Sequence, residues 1–351
     1  MNSSRDIAIN LISAFDRAFL FKWIVGLLRM AQRMDQGVKY VAMKELLNKK
    51  YCGIKIFWFL PLLILAICGI VIGSFLDKNI SQALYNPNSG YGKFIESFGT
   101  ALGYMLVPCG GTMLFLGLYK NKNVWLRILA YLLLICSIIP AAYLYGSSLD
   151  ETTEEYGMLV NKYLGYSIAF LLMALSSLLT FLFVDKEDKN NLIIVGSVIL
   201  ISMALQLVLV NFLLKYLACR PRYRFLMGDA VDQSGLLTDY RAWWEMRPFL
   251  YTKGDYYKSW PSGHTATACI TVLLGLLPVV AKKRFKFDQI IFFLIGSIYL
   301  CIVAFARIVA GAHFLSDVSF GCLISLFGIF LTLFFVDFAS RKWFFVTNKH
   351  E

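Results

Sequence analysis

Only three histidines occur in this chain, and two of them, His264 and His313, stand in short polar pieces at the edges of long apolar stretches. The third, His350, lies in the terminal tail. Three such pieces follow one another in order. The first is Lys215-Tyr-Leu-Ala-Cys-Arg-Pro-Arg222, the second Trp260-Pro-Ser-Gly-His264, and the third Arg307-Ile-Val-Ala-Gly-Ala-His313-Phe-Leu-Ser-Asp317. Lys215, Arg222 and Arg307 supply positive charge. A phosphate monoester carries close to two negative charges at neutral pH and several strong acceptor oxygens, so a cluster of cations suits it. Ser262 and Gly263 stand where a helix begins, and the free N–H groups and dipole of a helix start favour an anion. Gly263 also lets the backbone approach a ligand closely.

The two histidines divide the work. His313 and Asp317 are four residues apart, which places them on one helix face. A carboxylate bonded to one ring nitrogen fixes the tautomer and leaves the other nitrogen to attack. His313 is therefore the candidate nucleophile, with a phosphohistidine as the expected intermediate. His264 is the candidate acid, protonating the leaving oxygen and later activating water. Each piece alone is commonplace. Pro-Ser-Gly-His is an ordinary helix start, and Lys215 with Arg222 would serve as interfacial anchors. Their force lies in meeting at one membrane face.

That meeting needs elements to arrange it. Of 351 residues, 58% are hydrophobic and 16% charged, where a soluble chain carries roughly 25% charged residues. About 20 apolar residues cross a bilayer. Stretches near 56–77, 98–118, 125–146, 164–184, 192–214, 264–281, 289–309 and 315–336 are long and apolar enough. The fold predicted is an all-α integral membrane protein with about eight transmembrane helices. The ten Lys and Arg of residues 1–55, Lys120 and Lys122, the basic turn 282–288 and the tail after 336 then share one side, taken as cytoplasmic. The acidic loop 147–163 falls on the other.

One loop departs from that pattern. Residues 215–263 lie on the outer side, yet hold Lys215, Arg220, Arg222, Arg224, Arg241, Arg247, Lys253 and Lys258. An anionic ligand at the outer surface accounts for them. Trp243, Trp244, Trp260, Tyr223, Tyr240, Tyr251, Tyr256 and Tyr257 suit the headgroup level. The net charge of +12 needs no nucleic acid to explain it. The eight cysteines show neither CxxC nor metal-ligand spacing. Residues 7–28 read as an amphipathic surface helix, either a simple anchor or a docking element.

Taken together, the three pieces resemble the signature of the type 2 phosphatidic acid phosphatase superfamily: Lys-x6-Arg-Pro, then Pro-Ser-Gly-His, then Ser-Arg-x5-His-x3-Asp. The resemblance covers about 125–336 and implies a six-helix phosphatase core there. Outside it lie two accessory helices in 56–124, and the charge count makes 1–55 a cytoplasmic amphipathic segment and 337–351 a cytoplasmic tail. The resemblance implies that Lys215, Arg222 and Arg307 bind phosphate, that Ser262 and Gly263 add contacts, that His264 is the acid, His313 the nucleophile and Asp317 its partner, and that no metal or other cofactor is needed. Two positions depart from the signature. Tyr223 replaces the Pro after Arg222, which leaves Arg220, of the pair Arg220-Pro221, as a substitute for Arg222. Ala306 replaces the Ser before Arg307 and removes a hydroxyl. The expected substrate is a membrane lipid phosphate or diphosphate, such as an undecaprenyl-type diphosphate, phosphatidic acid or phosphatidylglycerophosphate, met at the outer face of the plasma membrane. Transfer of the phosphate to another lipid or sugar, and lipid binding or transport without turnover, are the alternatives. The oligomeric state is unassigned.

Overall fold

The computed structural model describes residues 50–156, 162–226, 240–246, 256–283 and 288–347. The expected surface helix at 7–28, the loop residues Arg247, Tyr251 and Lys253, and His350 lie outside the described residues. Among the described residues eight helices are long and apolar enough to cross a membrane: Ile56–Leu84, Gly90–Leu118, Val124–Leu149, Tyr163–Phe183, Lys189–Leu226, Gly263–Val280, Gln289–Val309 and Leu315–Arg341. They are called the first to eighth spans below. The protein is an all-α, multi-pass membrane protein, and its only strands among the described residues form a short hairpin, Lys50–Tyr51 with Ile54–Lys55.

Most spans start within a few residues of the sequence expectation, and the second is the informative exception. It begins at Gly90 rather than near 98. The Ser89 side chain accepts from Gly92 N at 3.1 Å and so caps a separate helix, Gly90–Phe98, which continues past Gly99 and Thr100 into Ala101–Leu118. This places Glu96 inside the bundle, where it is 2% exposed. The fifth span widens into a π-helix over Leu207–Leu214 just before Lys215, a local rewinding often found beside functional groups.

The sixth span is the centre of the bundle. Of its most apolar stretch 78% is buried, against 22% for the fourth span, which faces lipid. The second, fifth, seventh and eighth spans pack around it, while the third and fourth pack on the second. The first span lies against the eighth. Its buried face is Leu62, Ala66, Gly69, Gly73, Asp77 and Ser81, small apart from Leu62 and Asp77. A Cβ at Gly73 would sit 2.7 Å from Ser316 N, so a side chain there would push the two helices apart. In lipid no hydrophobic force joins helices, and such close approach of small residues is what holds them. Here it also brings Asp77 within reach of the eighth span.

Candidate active site

The three sequence pieces meet at one end of the bundle, tied by main-chain hydrogen bonds. Arg222 N donates to Tyr256 O at 2.9 Å, and Ser259 N to Arg220 O at 3.0 Å, which joins the first piece to the segment before the second. Ser262 N donates to Asp317 O at 3.0 Å and Arg224 N to Gly311 O at 2.9 Å, which joins both to the third. Gly311 has φ +64, a left-handed conformation, and a Cβ there would lie 2.6 Å from the Tyr85 ring. Beyond it, Ala312 N and His313 N both donate to Arg307 O at 3.2 Å, folding His313 back toward Arg307.

His313 is 1% exposed. Its Nδ1 lies 2.5 Å from the Ser259 carbonyl oxygen. A carbonyl only accepts, so Nδ1 carries the proton and Nε2 holds the lone pair. Asp317 was expected to make this bond, and it does not. Its Oδ2 accepts from Ser259 Oγ at 2.5 Å and from Phe314 N at 2.9 Å, while Oδ1 accepts from Arg220 Nη1 at 2.5 Å. The reason is local. The eighth helix starts at Leu315, so His313 lies in the preceding turn and the helical four-residue alignment does not apply. Asp317 reaches the imidazole through Ser259 instead. Burial, and then the charges of Arg307, Arg222, Lys215 and His264, hold His313 well below its ordinary pKa, so it is neutral at physiological pH.

Arg220 and Arg222 part company. Arg220 is fully engaged: Nη1 donates to Ser316 Oγ at 2.9 Å as well as to Asp317, Nη2 donates to Asp77 Oδ2 at 2.9 Å, and Nε donates to Arg241 O at 2.8 Å. Its guanidinium stacks 4.0 Å from the centre of the Phe314 ring. Arg220 is thus spoken for by carboxylates, and its expected service as a substitute phosphate ligand is not supported by this geometry. Arg222 is among the cations acting on His313, the position that the six-residue spacing from Lys215 gives it. Asp77, which comes from the first span, also accepts from Ser316 N at 2.9 Å and from Ser316 Oγ.

A second cluster surrounds Arg307. Glu96 Oε1 lies 2.6 Å from Arg307 Nη1 and 3.1 Å from Arg224 Nη1. The Glu96 carbonyl oxygen is 3.0 Å from His264 Nε2, so that nitrogen carries a proton and Nδ1 is the other ring acceptor. Arg307 is 1% exposed, yet its Nε makes no hydrogen bond among the described residues. Lys215 closes the same region, since a Cβ on Gly263 would lie 3.0 Å from its Nζ. Ser262 caps the sixth span, accepting from Thr265 N at 3.4 Å and Thr265 Oγ1 at 3.0 Å. An oxygen that accepts in this way still has its own O–H to donate. Among the described residues no three His, Cys, Asp or Glu side chains gather as metal ligands would.

Asp77, Glu96 and Ser259 were missed from the sequence, and Arg224 stood there only as one of the basic residues of the loop. Asp77 had a signal, because an ionisable residue in an apolar span is costly and seldom idle. Glu96 had little, for it reads as a loop residue until the helix at Gly90 is known. The first two spans were expected to be accessory, yet they supply Asp77 and Glu96 to the ion clusters, and spans one, two, five, six, seven and eight all reach the site. The two departures from the signature are both core positions. Tyr223 is 2% exposed and its ring packs 5.5 Å from Tyr85 and 6.0 Å from Phe314. Ala306 is fully buried.

Residues 192–341, the fifth to eighth spans with all three pieces, match the family model of the PAP2 superfamily. No curated protein and no solved structure matches the chain.

Proposed function

We propose that this chain, which belongs to the PAP2 superfamily of phosphatase-type hydrolases, removes phosphate from a membrane lipid phosphate or diphosphate by way of a phosphohistidine on His313. The observation that carries the reading is the state of His313. Its Nδ1–H is held by the Ser259 carbonyl at 2.5 Å. Its Nε2 lone pair is free of that bond and stands in the field of Arg307, Arg222 and Lys215.

In the first step Nε2 of His313 forms the N–P bond while the P–O bond to the lipid breaks. Arg307, Arg222 and Lys215 take up the charge on the equatorial oxygens, which is where a phosphoryl-transfer site does most of its work. The Arg307 Nε–H, without a hydrogen bond among the described residues, is one donor for it. His264, protonated on both ring nitrogens once the phosphate dianion lies beside it, gives its Nδ1 proton to the leaving oxygen, while its Nε2–H stays on the Glu96 carbonyl. In the second step His264 Nδ1 takes a proton from water, water oxygen attacks phosphorus, and the N–P bond breaks. The imidazole of His313 returns neutral and inorganic phosphate leaves. The basic and aromatic loop 215–263 supports a site at the outer membrane surface, since cytoplasmic loops already account for the orienting charge.

The test is phosphate release by purified protein in detergent with EDTA, against a panel of lipid monophosphates and diphosphates. The expected result is release from at least one lipid and loss of it in His313→Ala. Turnover by His313→Ala equal to the parent would overturn the reading. Free phosphate as the sole product separates a hydrolase from a phosphotransferase.

A further inference from the structure

We propose that Glu96 is a resident counter-anion of the phosphate site, holding Arg307 and Arg224 until a phosphate takes its place and helping to expel inorganic phosphate afterwards. This rests on the phosphatase reading above. The carboxylate is 2% exposed and lies against two guanidiniums, 2.6 Å from Arg307 Nη1 and 3.1 Å from Arg224 Nη1. A pair serving structure alone would saturate its cation, as Asp77 and Asp317 saturate Arg220. Beside Glu96, by contrast, the buried Arg307 Nε–H is left without a hydrogen bond among the described residues.

The chemistry follows from charge. Arginine forks bind carboxylate and phosphate in the same bidentate way. Without Glu96 the buried cations would be costly before substrate arrives, and would hold the product phosphate strongly after it forms. With Glu96 they are paired at rest, and any phosphate that enters competes with the carboxylate, so the product is held less strongly than bare cations would hold it. Glu96 also carries on its main chain the carbonyl that holds His264 Nε2. A shift of this helix on phosphate entry therefore reaches the acid as well.

The experiment is inhibition of phosphate release by inorganic phosphate in the parent, Glu96→Gln and Glu96→Asp. Glu96→Gln keeps the size and one acceptor but loses the charge. Its inhibition constant for phosphate should fall by about tenfold or more, with KM and kcat both lowered as product leaves more slowly. Glu96→Asp should keep phosphate inhibition within about threefold of the parent. If Glu96→Gln folds poorly, thermal unfolding carries the test, since a ligand that binds the folded state stabilises it. Inorganic phosphate should then raise the melting temperature of Glu96→Gln more than that of the parent. An unchanged inhibition constant in a folded Glu96→Gln, or no phosphate rescue of an unstable one, overturns this inference and leaves the phosphatase reading intact. Absence of phosphate release from the parent with every lipid overturns the underlying reading instead.

Discussion

Two buried ion clusters reach His313, and among the described residues their pairing is opposite. Around Arg220, one guanidinium is shared by two carboxylates, Asp77 and Asp317, and each of its three nitrogens has an acceptor. Around Glu96, one carboxylate is shared by two guanidiniums, Arg307 and Arg224. The first cluster has no capacity left for an anion. It connects through Ser259 to the Nδ1 side of His313 and fixes the ring. In the second, the Arg307 Nε–H has no hydrogen bond among the described residues, and the cluster gathers near the cations that act on His313. Charge in a membrane protein is costly wherever it is buried, and under the proposed function the two arrangements have two uses: one holds geometry, and the other receives phosphate.

The largest effect should come from breaking the closed cluster. Arg220→Met leaves two carboxylates buried together, and removing one partner of a buried pair costs about 3–5 kcal/mol. Thermal unfolding in detergent should show a strongly destabilised protein, and Arg220→Lys should not restore it because an ammonium lacks the planar fork. Stability equal to the parent would mean that the cluster does not hold the site.

The open cluster should respond in activity. Arg307→Ala should lower kcat/KM by about 100-fold or more, the usual cost of one donor to a developing charge, while its melting temperature moves less than that of Arg220→Met. The same change removes a cation that depresses the His313 pKa, so that pKa should rise. In the parent, His313 is neutral at neutral pH, because burial and neighbouring cations hold its folded pKa well below the ordinary value of roughly 6.5. In Arg307→Ala its titration should move toward neutral pH. Histidine carbon NMR on a chain with three histidines measures both. A large loss of stability with little loss of rate would reverse the assignment of the two clusters.

Smaller changes sharpen the link between them. Ser259→Ala removes the hydroxyl that donates to Asp317 but keeps the carbonyl that holds His313. It leaves a buried carboxylate one donor short, a loss of about 1–3 kcal/mol in stability, with a lesser loss in rate. A rate falling as far as in His313→Ala would mean that the hydroxyl acts on substrate. Smallest of all, Ala306→Ser restores the hydroxyl of the family signature beside Arg307. One added hydrogen bond is worth about 1 kcal/mol, so kcat/KM should rise severalfold at most. A fall would indicate that the fully buried site has no room for it.

The sequence carried the spans well, because apolar length is a one-dimensional property and lipid enforces it. It also carried the three polar pieces, whose Lys215, Arg222, His264 and Arg307 all act electrostatically on His313. What it could not carry was pairing between distant elements. Arg220 and Arg222 stand two residues apart and look equivalent until Asp77, on the first span, is found against one of them. Asp317 looked like the partner of His313 because helical spacing was assumed across a turn that Gly311 breaks. Glu96 was hidden by a second span read as starting near 98, after the capped helix Gly90–Phe98 that bears it.

The central claim is that His313 Nε2 becomes bonded to phosphorus. The direct measurement is to mix purified protein with a lipid phosphate that it hydrolyses, quench in alkali, where phosphohistidine survives, and map the modified residue by mass spectrometry. Phosphate on His313, absent from His313→Ala and accumulating when His264 is replaced, is the predicted result. Phosphate release at the parent rate with no label on His313, or with the label on another residue, would contradict it.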